Sequence, residues 1–243
     1  SDLCASATMT FDIAMKALRA KEYDYVLAGG VDTNLYPTLM ISFKRLGLLS
    51  DGECAFFDEN GKGYIMGEGA AIAVLTTYKK AKENKMPIYG EIHGMGMASS
   101  VPEHLLSPSQ RALETAAARC YQSIQPGRDR IRHLDVFALS HSLLDGVEMQ
   151  AMENTFTQPV RIDNIKPRFG YFKAANPAVV MAKLMLMRRH GQLVPNTSFN
   201  PETSLLSKTS VMTPEAGIYD AGQAPLWFAT NIIGIGGNHI HMV

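Results

Sequence analysis

Gly63-Tyr64-Ile65-Met66-Gly67-Glu68-Gly69-Ala70-Ala71-Ile72-Ala73-Val74-Leu75 runs from glycine-punctuated turns into an unbroken apolar segment. Residues 70–75 are too short for a typical helix and read as an apolar strand, followed by a helix over 76–85. Working outward, Tyr25 to Ala28 reads as a short buried strand ending at Gly29-Gly30, within Leu27-Ala28-Gly29-Gly30-Val31-Asp32. Pro37 to Leu46 reads as a helix opened by its proline. Phe43-Lys44-Arg45-Leu46-Gly47-Leu48-Leu49-Ser50-Asp51-Gly52 and Phe57-Asp58 link that helix to the quoted stretch.

Strands and helices keep alternating downstream. Residues 88–97 alternate loosely and read as a strand, and 109–120 as a helix capped by Ser109. Residues 134–139 read as a strand, 145–156 as a helix, 160–162 as extended and 174–189 as a strongly apolar helix. Residues 227–233 and 239–243 read as a hairpin joined by Gly234-Ile235-Gly236-Gly237, and 200–225 as a loop. This alternation argues for layered α/β architecture.

Cys4 directly precedes an amphipathic helix over 4–20 with Phe11, Met15 and Leu18 on one face. A cysteine at a helix start meets unpaired N–H groups and the positive end of the macrodipole, which favours the nucleophilic thiolate. A small buried apolar residue is the alternative reading of Cys4 taken alone.

Composition bounds the class. The 243 residues are 46% hydrophobic and 19% charged, enough for a substantial core. Lys+Arg and Asp+Glu are both 23, which gives no electrostatic case for nucleic acid or an anionic membrane. The three cysteines, at 4, 54 and 120, have no metal or disulfide spacing and fit a reducing cytoplasm. No signal peptide and no apolar run of membrane-spanning length is present in the sequence.

Taken in order, Cys4, Leu27–Asp32, Phe43–Gly52, Phe57-Asp58, Gly63–Ala70, Lys166, Gly170 and Gly234–Gly237 resemble the β-ketoacyl synthases, the condensing enzymes of fatty-acid and polyketide synthesis. The resemblance spans nearly the whole chain and is most specific from Leu27 to Leu75. It implies a thiolase-like layered α-β-α-β-α fold. Residues 1–85 would end its N-terminal half and carry the cysteine, and 86–243 would form its C-terminal half. It places Cys4 at the acyl-accepting cysteine. Substrates would ride on the phosphopantetheine of an acyl carrier protein, with no other cofactor. Members dimerise through a sheet edge, which implies the same here. A large portion of the family's domain, core strands included, precedes the cysteine. The fold in this chain is therefore expected to be incomplete. The N-terminal part of the same polypeptide or a ketosynthase-like partner would complete it, after cleavage, splitting or choice of fragment. Ser1 is compatible with self-cleavage and with ordinary proteolysis.

Two motifs depart from the family. Its first histidine opens His-Gly-Thr-Gly-Thr after a buried strand; here Ser140-His141-Ser142-Leu143-Leu144-Asp145 follows in a shorter loop. Ser140 or His141 takes the histidine position. The second histidine closes Lys-Thr-Asn-Ile-Gly-His, matched by Lys166-Pro167-Arg168-Phe169-Gly170-Tyr171, so Tyr171 stands where the imidazole belongs. Losing one donor to a developing oxyanion costs about 100- to 1000-fold in rate. Lys166 is expected to order the site electrostatically. Asp145 and Glu148 are expected to order a loop and a helix N-terminus. Ile235, between Gly234 and Gly236, replaces the family's usual phenylalanine gate. As a phosphate cradle this glycine cluster lacks the helix-opening context. His239 and His241 share a strand face, and no third metal ligand is evident.

Three functions follow from the resemblance. One is a degenerate, chain-length-factor-like subunit paired with an active ketosynthase in a heterodimer. Another is a non-elongating ketosynthase that passes acyl chains along. The last is an active condensing enzyme performing decarboxylative Claisen condensation through Cys4, with His141 and Tyr171 in changed roles.

Overall fold

The structure, a computed structural model, describes residues 3–101, 107–124, 127–194, 196, 198–206, 212–213 and 226–243. A 3-10 turn at Leu3–Ala5 leads into helix α1 (Ser6–Arg19), whose Ala7, Phe11, Ala14 and Leu18 are buried. Strands β1 (Val26–Asp32) and β2 (Gly69–Leu75) pair antiparallel, with helix α2 (Pro37–Arg45) between them in sequence. Helix α3 (Tyr78–Glu83) is capped by the Thr77 hydroxyl.

The second half builds a six-stranded mixed sheet in the order β3-β8-β7-β4-β5-β6. Its strands are β3 (Met95–Ser99), β4 (Ile131–Asp135), β5 (Val160–Asp163), β6 (Met212–Thr213), β7 (Trp227–Gly234) and β8 (Asn238–Met242). The β3, β8 and β7 pairings are antiparallel, and β7, β4, β5 and β6 run parallel. Helices α4 (Gln110–Gln122), α5 (Ser142–Thr155), α6 (Lys166–Phe169) and α7 (Asn176–His190) complete the chain.

α1 and α7 lie between the two sheets. Ala7, Phe11 and Ala14 of α1 meet Ala28 of β1, Ala178 of α7 and Met242 of β8 in one cluster. Ala5 packs on Ile232 and Ile240 of the larger sheet. Alternate residues of β8 turn the other way, toward α4 and α5. Sheet, helices, sheet and helices thus stack in the order that the thiolase-like expectation requires. Burying a Phe11-sized side chain contributes about 1.5–3 kcal/mol, so this interlayer cluster fixes where Cys4 sits.

Several boundaries differ from the sequence reading, each for a local reason. β1 does not end at Gly29-Gly30 but runs through them. A Cβ on Gly29 would lie 2.1 Å from the Ala71 carbonyl oxygen, and one on Gly30 2.8 Å from that of Ala174. The glycines therefore permit close approach inside the strand rather than stop it. β3 covers 95–99, so only 95–97 of the segment expected over 88–97 is strand; His93 and Gly94 just before it donate to the Val243 carbonyl. β4 covers 131–135 rather than 134–139. It stops because Phe137 and Ala138 give their N–H groups to the Glu148 carboxylate, not to a neighbouring strand. α5 starts at Ser142, not 145. Of the loop expected over 200–225, residues 200–206 are irregular and 212–213 form β6; the remainder lies outside the described residues. Among the described residues no helix is long and apolar enough to cross a membrane.

Candidate active site

Cys4 sits in the 3-10 turn that leads into α1, buried beside a cavity of about 30 Å³. Phe43, Tyr64, Phe137, Tyr171 and Ile235 are among the cavity's lining residues. The thiolate expected from the helix position is not what the surroundings favour. Burial pushes the thiol pKa up, and the facing Tyr171 hydroxyl, the Ile235 N–H and the Lys173 ammonium offset this only in part. Desolvation of a charge outweighs a helix-end dipole.

Tyr171 is fully interior. Its N–H donates to the Ile65 carbonyl at 2.8 Å and its carbonyl accepts from Gly67 N–H at 3.1 Å. Its ring meets Tyr64 edge-on at 5.0 Å and Phe137 at 5.8 Å, a favoured aromatic geometry. Its hydroxyl faces the Cys4 sulfur without closing a well-formed hydrogen bond to any acceptor. Burial, then the nearby Cys4, pushes its pKa well above the ordinary tyrosine value, so it stays protonated.

Lys166 is wholly buried. Its ammonium donates to the Phe137 carbonyl and approaches Asn164 Oδ1 at 3.4 Å. It also lies 4.9 Å over the Phe137 ring and 5.2 Å over the Tyr171 ring. Burial lowers its pKa against the raising effect of Asp135, Glu148, Cys54 and Asp145. Glu148 accepts from Phe137 N–H at 2.8 Å, Ala138 N–H at 2.7 Å and Asn231 Nδ2 at 2.8 Å. Phe137 is thus gripped at both its N–H and its carbonyl. Asp145 accepts from Leu139 N–H at 2.8 Å and Phe57 N–H at 3.1 Å, while burial pushes its pKa up to about 7.

Neither candidate for the first histidine position lines the cavity. Ser140, at φ 60°, turns its hydroxyl to the Ala55 carbonyl at 2.7 Å. His141 stands at the N-cap of α5, its backbone paired with Lys62 and its buried Nδ1 without a hydrogen-bond partner. The residues of this segment that line the cavity are Phe137 and Leu139, and Phe137 is the one whose ring meets that of Tyr171. An apolar residue inside an apolar run carries no sequence signal of such a role, so the sequence reading missed it, and missed Tyr64 likewise. Gly234 and Ile235 do line the cavity, and Gly236 follows at φ 107° with open space around it.

The other two histidines singled out are structural. His239 accepts from Ser109 N–H at 2.9 Å and its Nδ1 donates to the Gly237 carbonyl at 2.9 Å. His241 Nδ1 lies 2.7 Å from Asn231 Oδ1, and its Nε2 lies 2.6 Å from the Tyr121 hydroxyl. Because Asn231 Nδ2 donates to Glu148, its Oδ1 must accept, which assigns the proton to Nδ1. Burial lowers the His241 pKa to about 3. No cluster able to hold a metal exists among the described residues.

Comparisons with known proteins agree with the fold. The family descriptions "Beta-ketoacyl synthase, N-terminal domain" and "Beta-ketoacyl synthase, C-terminal domain" match residues 3–81 and 89–200. A 6-methylsalicylic acid synthase of Aspergillus niger is 30% identical over 214 residues, 84% of this chain and 12% of that protein. A highly reducing polyketide synthase of Aspergillus terreus is 28% identical, over 99% of this chain and 10% of its own length. Among solved structures, the ketosynthase from module 6 of the bacillaene synthase of Bacillus subtilis superposes with a TM-score of 0.92 at 25% identity. That match covers 99% of this chain and 46% of the other. The ishigamide ketosynthase/chain length factor shares the fold, at TM-score 0.85 and 21% identity, over 59% of its chain. This chain therefore spans about an eighth of those synthases and about half of the solved ketosynthase chains.

Proposed function

Because the chain belongs to the β-ketoacyl synthase family, we propose that it is a non-elongating member that accepts acyl groups on Cys4 within a polyketide synthase. One observation carries the reading. Among the described residues no imidazole lines the Cys4 cavity; the rings that line it are Phe43, Tyr64, Phe137 and Tyr171. Decarboxylating a malonyl thioester needs donors on the thioester oxygen. Phe137 offers none, and Tyr171 offers one hydroxyl whose proton is turned to sulfur. Two weakened donors at about 100- to 1000-fold each remove useful condensation.

Acylation asks for less. Cys4 sulfur attacks the thioester carbonyl carbon, a carbon–sulfur bond forms, and the tetrahedral oxyanion collapses by breaking the bond to the carrier's sulfur. The thiol proton of Cys4 ends on the departing pantetheine thiolate, so thioester plus thiol give thioester plus thiol. The Ile235 N–H already points at the Cys4 sulfur and offers a backbone donor near the forming oxyanion. An acyl carrier protein is the partner that delivers such a substrate. A further ketosynthase-like polypeptide, in this chain or in a dimer partner, covers the outer face of β1–β2. On that face Leu27 stands opposite Val74, Gly29 opposite Ile72 and Val31 opposite Ala70. Leu27, Val31, Ile72 and Val74 are 72%, 67%, 69% and 59% exposed, an apolar patch that soluble surfaces seldom leave bare.

The test is Cys4→Ala in the assembled synthase, with acyl-enzyme mass, malonyl decarboxylation and product followed together. Loss of the acyl adduct and of product, with decarboxylation unchanged, supports the relay. Retained product points to the chain-length-factor-like role instead. Loss of decarboxylation from this site assigns condensation to it and overturns the proposal.

A further inference from the structure

We propose that the cavity beside Cys4 admits only acetyl-sized acyl groups, with the ring wall that includes Phe137 setting the limit; this rests on reading Cys4 as the acyl acceptor. The cavity is about 30 Å³, and one water-sized guest needs roughly 10–15 Å³. A space of that size takes two or three non-hydrogen atoms, about an acetyl group.

The walls decide whether that volume can grow. On one side stand Tyr64, Tyr171 and Phe137, interlocked edge to face. Each is tied down by its backbone. Tyr64 N–H donates to the Leu48 carbonyl at 2.8 Å, and its own carbonyl accepts from Ser50 N–H at 3.0 Å. Tyr171 is held between Ile65 and Gly67, and Phe137 between Glu148 and Lys166. Close-packed rings fixed this way do not yield to an extra methylene without strain. On the other side Ile235 lies among glycines, with Gly236 and Gly237 at φ 107° and 94°. The wall of Tyr64, Tyr171 and Phe137 is therefore what a longer acyl chain would strike, and Phe137 is the member of it that carries no hydroxyl.

The experiment offers acetyl-, butyryl- and octanoyl-pantetheine thioesters to the full polypeptide and follows Cys4 acylation by intact mass. Wild type is expected to load acetyl at least about tenfold faster than butyryl or octanoyl. Phe137→Ala frees the volume of a phenyl ring and should bring the rates within about threefold of one another. Phe137→Leu, checked with it for native circular dichroism, should fall between. Equal loading of acetyl and octanoyl by wild type overturns the inference. So does an acetyl preference that both folded variants keep. Absence of every adduct on Cys4 removes the acceptor reading itself, and the size limit with it. That outcome is distinct from loading without size selection.

Discussion

Two buried neighbourhoods meet at Glu148, and they are built from opposite materials. Toward β8 runs a chain of satisfied polar groups: the Tyr121 hydroxyl, the His241 ring, the Asn231 amide and the Glu148 carboxylate, at successive distances of 2.6, 2.7 and 2.8 Å. Toward Cys4 lies aromatic carbon: Phe137, Tyr171 and Tyr64, with one hydroxyl facing sulfur and, among the described residues, no imidazole in the wall. In this chain the fully paired histidines hold architecture, and the place where acid–base chemistry would occur is apolar. Polar groups that are completely paired rigidify a core, whereas a nucleophile surrounded by rings is left without a base. The comparison argues that the first neighbourhood exists to hold the walls of the second.

The largest effect should come from breaking the junction. Glu148→Ala leaves the N–H groups of Phe137 and Ala138 and the Asn231 amide without their acceptor in a buried site. Orphaned buried donors cost about 1–3 kcal/mol each, so a loss of roughly 3–9 kcal/mol is expected in urea unfolding. In the folded fraction Cys4 should alkylate faster, because Phe137 loses one of its two grips. A stability loss under about 1 kcal/mol would mean that the two neighbourhoods are not coupled through this carboxylate.

His241→Asn is a smaller break. The shorter amide can still donate to Asn231 but not reach Tyr121, at a cost of about 1–3 kcal/mol at pH 7.5. The pH dependence sharpens the point. The folded pKa of His241 is lowered to about 3 from 6.5. Below 6.5 the unfolded chain takes up a proton that the fold refuses. The contribution of neutral His241 is therefore complete above pH 6.5 and drains as pH falls toward 3. The stability gap between wild type and His241→Asn should be widest at pH 7.5 and narrower at pH 5. An equal gap at both would show that the ring titrates normally in the fold and that the polar chain is open to water.

Legibility in the sequence followed the range of the forces involved. The β1–β2 pair and α1, α2, α4 and α7 were readable because apolar run length, a helix-opening Pro37 and a capping Ser109 are local signals. Gly29 and Gly30 misled because their purpose, room for Ala71 and Ala174, lies far along the chain. The early end of β4 was invisible for the same reason: Glu148 takes its next N–H groups from a helix away. At the site, Cys4, Lys166, Tyr171 and Ile235 come together around one centre. His141 does not: it stands at the N-cap of α5 outside the cavity lining, and nothing local in the sequence marks which residue of that segment turns inward. Phe137 went unseen because a ring that walls a cavity looks, in sequence, like any buried ring.

The smallest effect belongs to Tyr171→Phe, and its smallness is the point. The hydroxyl makes no well-formed hydrogen bond, so its removal orphans nothing except a weak contact to the Cys4 sulfur. Stability should change by less than about 1 kcal/mol, against the several expected at Glu148. The ring contacts to Tyr64 and Phe137 remain, so the cavity keeps its shape. What should change is the thiol. The hydroxyl is the first of the influences that pull the Cys4 pKa down against burial. Without it the thiolate fraction falls, and iodoacetamide labelling of Cys4 at pH 8 should slow by about two- to tenfold. Acyl loading should slow by a similar factor and malonyl decarboxylation should not move. If decarboxylation instead collapses by about a hundredfold or more, Tyr171 is an acid–base group, and the contrast between a structural polar chain and a chemically silent aromatic wall fails.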